Sequence, residues 1–125
     1  MNLLSIDYGQ KRIGLAYSIS DIITPLPVLK NDDHFLDNLF KIIREYRIEK
    51  IYIGLSEGDF AKETLLFVDK LSSVLELPIE TVEEAVSTIE AEKIFISNKN
   101  KKKNYKSHID SVAAAVILRR VISYT

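Results

Sequence analysis

A chain of 125 residues that is 46% hydrophobic and 28% charged has the size and composition of one globular domain, large enough to bury a core and too small for two. It contains no cysteine, which excludes thiol nucleophiles, thiolate zinc sites and disulfides. Its 17 Lys and Arg against 18 Asp and Glu leave a formal net charge of -1, so affinity for nucleic acid must come from where the charges lie and not from their sum.

The strand-like Leu3-Leu4-Ser5-Ile6 comes just after Met1 and Asn2, with no basic leader and no apolar run near the roughly 20 residues that cross a membrane. A cytoplasmic location without a membrane partner is expected. No repeat or flexible linker divides the chain, and residues 1–125 are expected to form a single domain. Leu3 to Tyr8 reads as a strand, Gly9-Gln10-Lys11 as a turn and Ile13 to Ser18 as a second strand. Pro25 and Pro27 precede a shorter third strand near Val28-Leu29, and the three make an antiparallel meander. From Asp32 to about Arg47, Leu36, Leu39, Phe40 and Ile43 keep helical spacing, with Asn31, Asp32 or Asp33 placed to cap the first amides.

Strand and helix then alternate. Ile51-Tyr52-Ile53 is a short strand ending at Gly54. A helix from about Phe60 to Leu75 turns Phe67, Val68, Leu71, Val74 and Leu75 to one side, and Pro78 ends it. Ile79 to Val82 is a fifth strand, Ser87-Thr88-Ile89-Glu90 a capping box for a helix to about Ile96, and Ser107 the N-cap of a last helix burying Ile109, Val112, Ala113, Val116 and Ile117. This order predicts a mixed α/β sheet with strands four and five parallel to strand one and helices on both faces. Sites in such sheets lie beyond the carboxyl ends of the parallel strands.

Acidic residues stand at that edge. Asp7 ends the first strand, where burial of a carboxylate is costly unless it is paired or metal-bound, although Asp also suits the start of a turn. Glu83 and Glu84 close the fifth strand, and of two consecutive strand residues only one faces a given side. Asp110, the fourth residue from Ser107, is also explained as a first-turn acid favoured by the helix dipole. One reading covers all three positions: carboxylates from strand one, strand five and the last helix form a hard oxygen site for one or two Mg²⁺ or Mn²⁺ ions, suited to phosphodiester hydrolysis. The segment Asn98 to Lys106 is almost entirely Lys and Asn. Within it Lys99, Lys101, Lys102, Lys103 and Lys106 can meet phosphates and Tyr105 can stack on a base, where the plainer reading is a solvated loop.

The run Asp7-Tyr8-Gly9-Gln10-Lys11-Arg12-Ile13-Gly14-Leu15-Ala16-Tyr17-Ser18 resembles the amino-terminal signature of the YqgF/RuvX family. The likeness continues at Ile53-Gly54-Leu55, at Glu84 with Ser87-Thr88-Ile89-Glu90-Ala91-Glu92, and at Asp110-Ser111-Val112-Ala113-Ala114-Ala115, so it spans essentially the whole chain. The resemblance implies an RNase H-like fold with strand order 3-2-1-4-5 and action on nucleic acid, RNA before branched DNA. Members are described as pre-16S rRNA nucleases acting at the 5′ end and, in older descriptions, as Holliday junction resolvases. Carried over by position, Asp7, Glu84 and Asp110 would be the catalytic, metal-binding carboxylates, and Lys11 and Arg12 would contact phosphate. Gly9 would permit the sharp turn, and Gly14 the close approach of a backbone or substrate.

The chain also departs from the family. Its Asp-Glu-Arg is here Glu83-Glu84-Ala85, Ser56 stands where Pro is usual, and Ser18-Ile19 replaces Ser-Asp, with Asp21 as a shifted equivalent. The loss of the Arg gives weight to a second reading, an RNA-binding assembly factor that cleaves weakly. Junction resolution would require a symmetric homodimer in place of a monomer.

Overall fold

The computed structural model describes residues 1–55, 58–83 and 105–123, of which 105–110 and 123 are described by their backbone alone. Three strands open the chain: β1 (Leu3–Asp7), β2 (Arg12–Ile19) and β3 (Ile22–Lys30). After them come α1 (Phe35–Glu45), β4 (Lys50–Leu55), α2 (Phe60–Val74), β5 (Ile79–Glu83) and α3 (Tyr105–Ser123). The strands form one sheet in the order β3-β2-β1-β4-β5. The β1–β2 and β2–β3 pairs are antiparallel, and the β1–β4 and β4–β5 pairs are parallel.

Strand alternation divides the core into two layers. Leu4 and Ile6 of β1 point to one face, where they are fully buried with Ile51 and Ile53 of β4, Phe35 and Leu39 of α1, and Phe67 and Leu71 of α2. Ser5 points to the other face, towards α3, whose residues 111–118 are all buried. There Ala16 and Tyr52 pack with Ala114, Ala115, Ile117 and Leu118. Small side chains let α3 approach closely enough for the buried Ser5 hydroxyl to donate to the Ala114 carbonyl at 2.5 Å. The N–H of Leu15 donates to the Ser111 hydroxyl at 3.3 Å. Each bond offsets the cost of placing a polar group in the core.

Several boundaries differ from the sequence reading. The third strand is nine residues long and not a short piece, because it is an edge strand, where proline is tolerated. A register shift opposite Ile13 and Leu15 absorbs the extra residue around Pro27 and Val28. The β2–β3 loop has only two residues, Ser20 at φ 52° and Asp21 at φ 65°, which is the positive-φ pattern of a tight hairpin made here without glycine. None of the expected caps serves α1 by side chain: His34 precedes the helix, and Asp32 accepts from the His34 N–H at 2.9 Å. Arg47, at φ 52°, ends α1, with the Ile48 N–H donating to the Ile43 carbonyl at 3.0 Å. In α2, Val74 is 49% exposed and not part of the core face, because the helix ends there and Leu75 is already extended.

The last helix begins at Tyr105, so Ser107 is inside it and not at its N-cap. Tyr105 and Lys106 belong to this helix and not to the basic loop, and Asp110 lies beyond the first turn, where the helix dipole acts less strongly. The expected helix from Ser87 to Ile96 and the lysines from Lys99 to Lys103 lie outside the described residues. Among the described residues no helix is long and apolar enough to cross a membrane.

Candidate active site

The parallel strands β1, β4 and β5 end at one edge of the sheet, and Asp7 stands at the centre of that edge. It is half-buried and pairs with Gly14 of β2 on one side and Gly54 of β4 on the other. Residues paired across strands share a face, so the positions flanking Asp7 on its own face carry no side chain. By alternation Asp7 projects to the face of Ser5, the face that α3 covers.

Two hydrogen bonds fix the direction of α3. Ser111 meets Leu15, which is level with Ile6, and Ala114 meets Ser5, one residue nearer the start of β1. The helix therefore runs antiparallel to β1, and its residues before Ser111, Asp110 first among them, lie towards the Asp7 end. Strand one and the last helix thus bring Asp7 and the backbone of Asp110 towards the same edge. The side chain of Asp110 and all of Glu84 are outside the described residues, and among the described residues no group of three His, Asp or Glu could hold a metal ion.

Glu83 is exposed and pairs with Leu55, whereas Val82 pairs with Gly54, the neighbour of Asp7. Glu83 therefore projects to the face opposite Asp7. Its carbonyl accepts from Nη1 of Arg120 at 2.9 Å, which ties the end of β5 to α3 and sets a guanidinium beside the strand end whose family Arg is replaced by Ala85. Nothing in the sequence pattern singles out Arg120, since its role depends on how α3 crosses the sheet. Asp21, the proposed shifted equivalent of a family Asp, sits in the β2–β3 hairpin at the opposite edge, beyond the Leu3–Ser18 pair, and does not join Asp7.

The turn from Tyr8 to Lys11 borders the site. Lys11 and Arg12 are exposed there, as a contact with phosphate requires. Gly9 is needed for a steric reason: a Cβ at this position would overlap the Arg12 carbonyl oxygen. The Tyr8 ring turns away from Asp7 to stack on Phe67, with centroids 4.2 Å apart, and on Phe60 at 5.8 Å. Asn31, which sequence reasoning offers only as a cap, donates from Nδ2 to the Gly9 carbonyl at 2.8 Å. A cavity of about 430 Å³ opens between the β3–α1 junction and α2, with Asp32, Asp33 and Glu63 among its lining and Lys70 as its cation. With three carboxylates against one cation, its charge opposes a phosphate backbone.

Comparison with known proteins agrees with this fold. The model of the RuvX family, described as Holliday junction resolvase, matches residues 1–124. A protein of Sulfurihydrogenibium sp. named "Putative pre-16S rRNA nuclease" is 37% identical over 127 residues, covering 94% of this chain and 86% of that protein. One of the same name from Halothermothrix orenii is 32% identical over 134 residues, covering 99% and 96%. Among solved structures, T. thermophilus RuvC in complex with Holliday junction substrate superposes with a TM-score of 0.60 at 12% identity, covering 98% of this chain and 96% of that one. The fowlpox virus Holliday junction resolvase does so at 0.58 and 15% identity, covering 99% and 97%. At such identities the likeness establishes the fold, which is RNase H-like with the strand order read from the resemblance.

Proposed function

Because this chain belongs to the RuvX family, matched over residues 1–124, we propose that it is a nuclease that hydrolyses phosphodiester bonds, with the 5′ end of the 16S rRNA precursor as its principal substrate. The observation that carries the reading is Asp7 at the carboxyl end of the central strand, with Gly14 and Gly54 beside it and the helix bearing Asp110 descending from the same edge. The relatives' names favour RNA, while the resolvase neighbours make a four-way DNA junction the second candidate. A monomer suffices for cutting RNA, whereas resolving a junction calls for a homodimer.

The donor chemistry fits a divalent ion. Asp7, Glu84 and Asp110 offer only carboxylate oxygens, hard ligands that suit Mg²⁺ or Mn²⁺, and Gly14 and Gly54 set no side chain next to Asp7 on the adjoining strands. One or two such ions, held by these three residues, would supply a more acidic water and offset negative charge on the leaving oxygen. Glu84 takes this role and not Glu83, whose face is wrong. Lys11 and Arg12 bind and orient the phosphate backbone from the β1–β2 turn, while Lys99, Lys101, Lys102, Lys103 and Lys106 extend the binding surface and Tyr105 stacks on a base.

The test is cleavage of the 16S precursor, single-stranded RNA and a four-way DNA junction by the purified protein in Mg²⁺, Mn²⁺ or EDTA. Metal-dependent cutting of the precursor is expected. Tight binding with no cutting in any metal would replace the nuclease with an assembly factor. Changing Lys101, Lys102 and Lys103 to Ala is expected to weaken RNA binding irrespective of sequence and to flatten its salt dependence by about 0.7 in logarithmic slope for each phosphate no longer neutralised. Filter binding from low to high salt measures this, and an unchanged slope would return the segment to an ordinary solvated loop.

A further inference from the structure

The β1–β2 turn carries Lys11 and leads into Arg12, the first residue of β2, at the edge where Asp7 lies, and a residue distant in sequence holds the turn in shape. Asn31 follows β3 directly and grips the turn at two points. Its backbone N–H donates to the Lys11 carbonyl at 2.9 Å, and its side-chain Nδ2 donates to the Gly9 carbonyl at 2.8 Å. The two acceptors lie on either side of Gln10, so the tip of the turn is held from both flanks. The side-chain bond joins part-buried groups, where water competes less and geometry is better defined. By contrast, the tether from Gln10 Nε2 to Glu63 Oε2, at 3.2 Å, is exposed.

We propose that Asn31 is a positioning residue of this nuclease: by fixing the Gly9 and Lys11 carbonyls, it sets where Lys11 and Arg12 present their charges relative to Asp7, and so which phosphate lies beside the carboxylate. The proposal rests on the reading of Lys11 and Arg12 as phosphate-binding residues. Only the side-chain bond is open to substitution, and it requires a donor. Asp at position 31 keeps the shape of the side chain but sets an oxygen against the carbonyl oxygen, whereas Ala removes the side-chain bond and leaves the backbone bond to Lys11 in place.

The experiment is a double-mutant cycle. Asn31→Ala, Asn31→Asp and Lys11→Ala/Arg12→Ala, singly and combined, are compared for binding of labelled single-stranded RNA and of a four-way DNA junction, for cleavage rate and for melting temperature, with binding and rates taken below each variant's melting transition. Losing the Asn31 side-chain bond is expected to weaken binding by about threefold to tenfold, the range to which one hydrogen bond's net contribution converts. In the Lys11→Ala/Arg12→Ala background the same change is expected to have no effect on binding, because the charges it positions are gone. Equal losses in the two backgrounds would make Asn31 a merely structural residue and overturn the proposal, as would unchanged binding in both single variants. Because binding is read independently of turnover, a protein that binds but never cuts would defeat the nuclease reading while the cycle still decided the role of Asn31.

Discussion

Replacing Asp7 with Asn is expected to reduce phosphodiester cleavage by more than about a hundredfold, the upper end of what losing even an outer partner of a metal-bound group costs. The substitution keeps the size of the side chain and removes the charge that would bind a cation. Asp7 is half-buried and flanked by Gly14 and Gly54, so no neighbouring side chain on the adjoining strands has to repack. A change in melting temperature within about 4 °C is therefore expected, corresponding to roughly 1 kcal/mol for a domain of this size. Cleavage and thermal melting measured on one preparation check both halves. A variant that cuts at the wild-type rate would remove Asp7 from the mechanism, and one that unfolds would assign the carboxylate to the fold.

Replacing Gly9 with Ala is expected to act in the opposite way, through structure first. The added Cβ would collide with the Arg12 carbonyl oxygen, a clash with backbone that no side-chain rotation relieves. Either the turn moves or the strain is retained, at a cost of about 1–3 kcal/mol as for other overpacked sites. The midpoint of urea unfolding should fall accordingly, with the slope unchanged. Cleavage should fall as well, because the displaced turn carries Lys11, leads into Arg12 and is bonded to Asn31 through the Gly9 carbonyl itself. Wild-type stability in Gly9→Ala would mean that the turn tolerates a looser path than the one described.

The parts of this molecule that sequence reveals are those set by local periodicity. Leu4 and Ile6 alternating with Ser5 and Asp7 give β1 and its two faces, and Leu36, Leu39, Phe40 and Ile43 give α1. Motifs in the right order supply the strand order, which alternation alone does not fix. Sequence misled where tertiary context outweighed local preference. Pro25 and Pro27 argue against a strand, yet β3 runs through both because its outer side pairs with no other strand. Ser107 resembles a cap, yet the helix continues back to Tyr105. In the site, Asp7 stands out because a charged residue ends an otherwise apolar strand, and Gly9 because a glycine opens the turn that follows. Asn31 and Arg120 do not, since each acts on a backbone carbonyl, and such a partner leaves no mark in the spacing of side chains.

The same two prolines bear on how copies of this protein could associate. A sheet edge with a full row of outward amides is a template on which a second chain can add a strand, and a symmetric pair can form by joining two such edges into one continuous sheet. Proline has no amide hydrogen to give, and the register shift around Pro27 and Val28 bends the strand out of line. The β3 rim is thus a poor surface for edge-to-edge pairing, which protects the chain from aggregating through that side. A twofold assembly able to present two Asp7 centres to the two strands of a junction would have to be built from another surface, such as the helix faces or the β5 side.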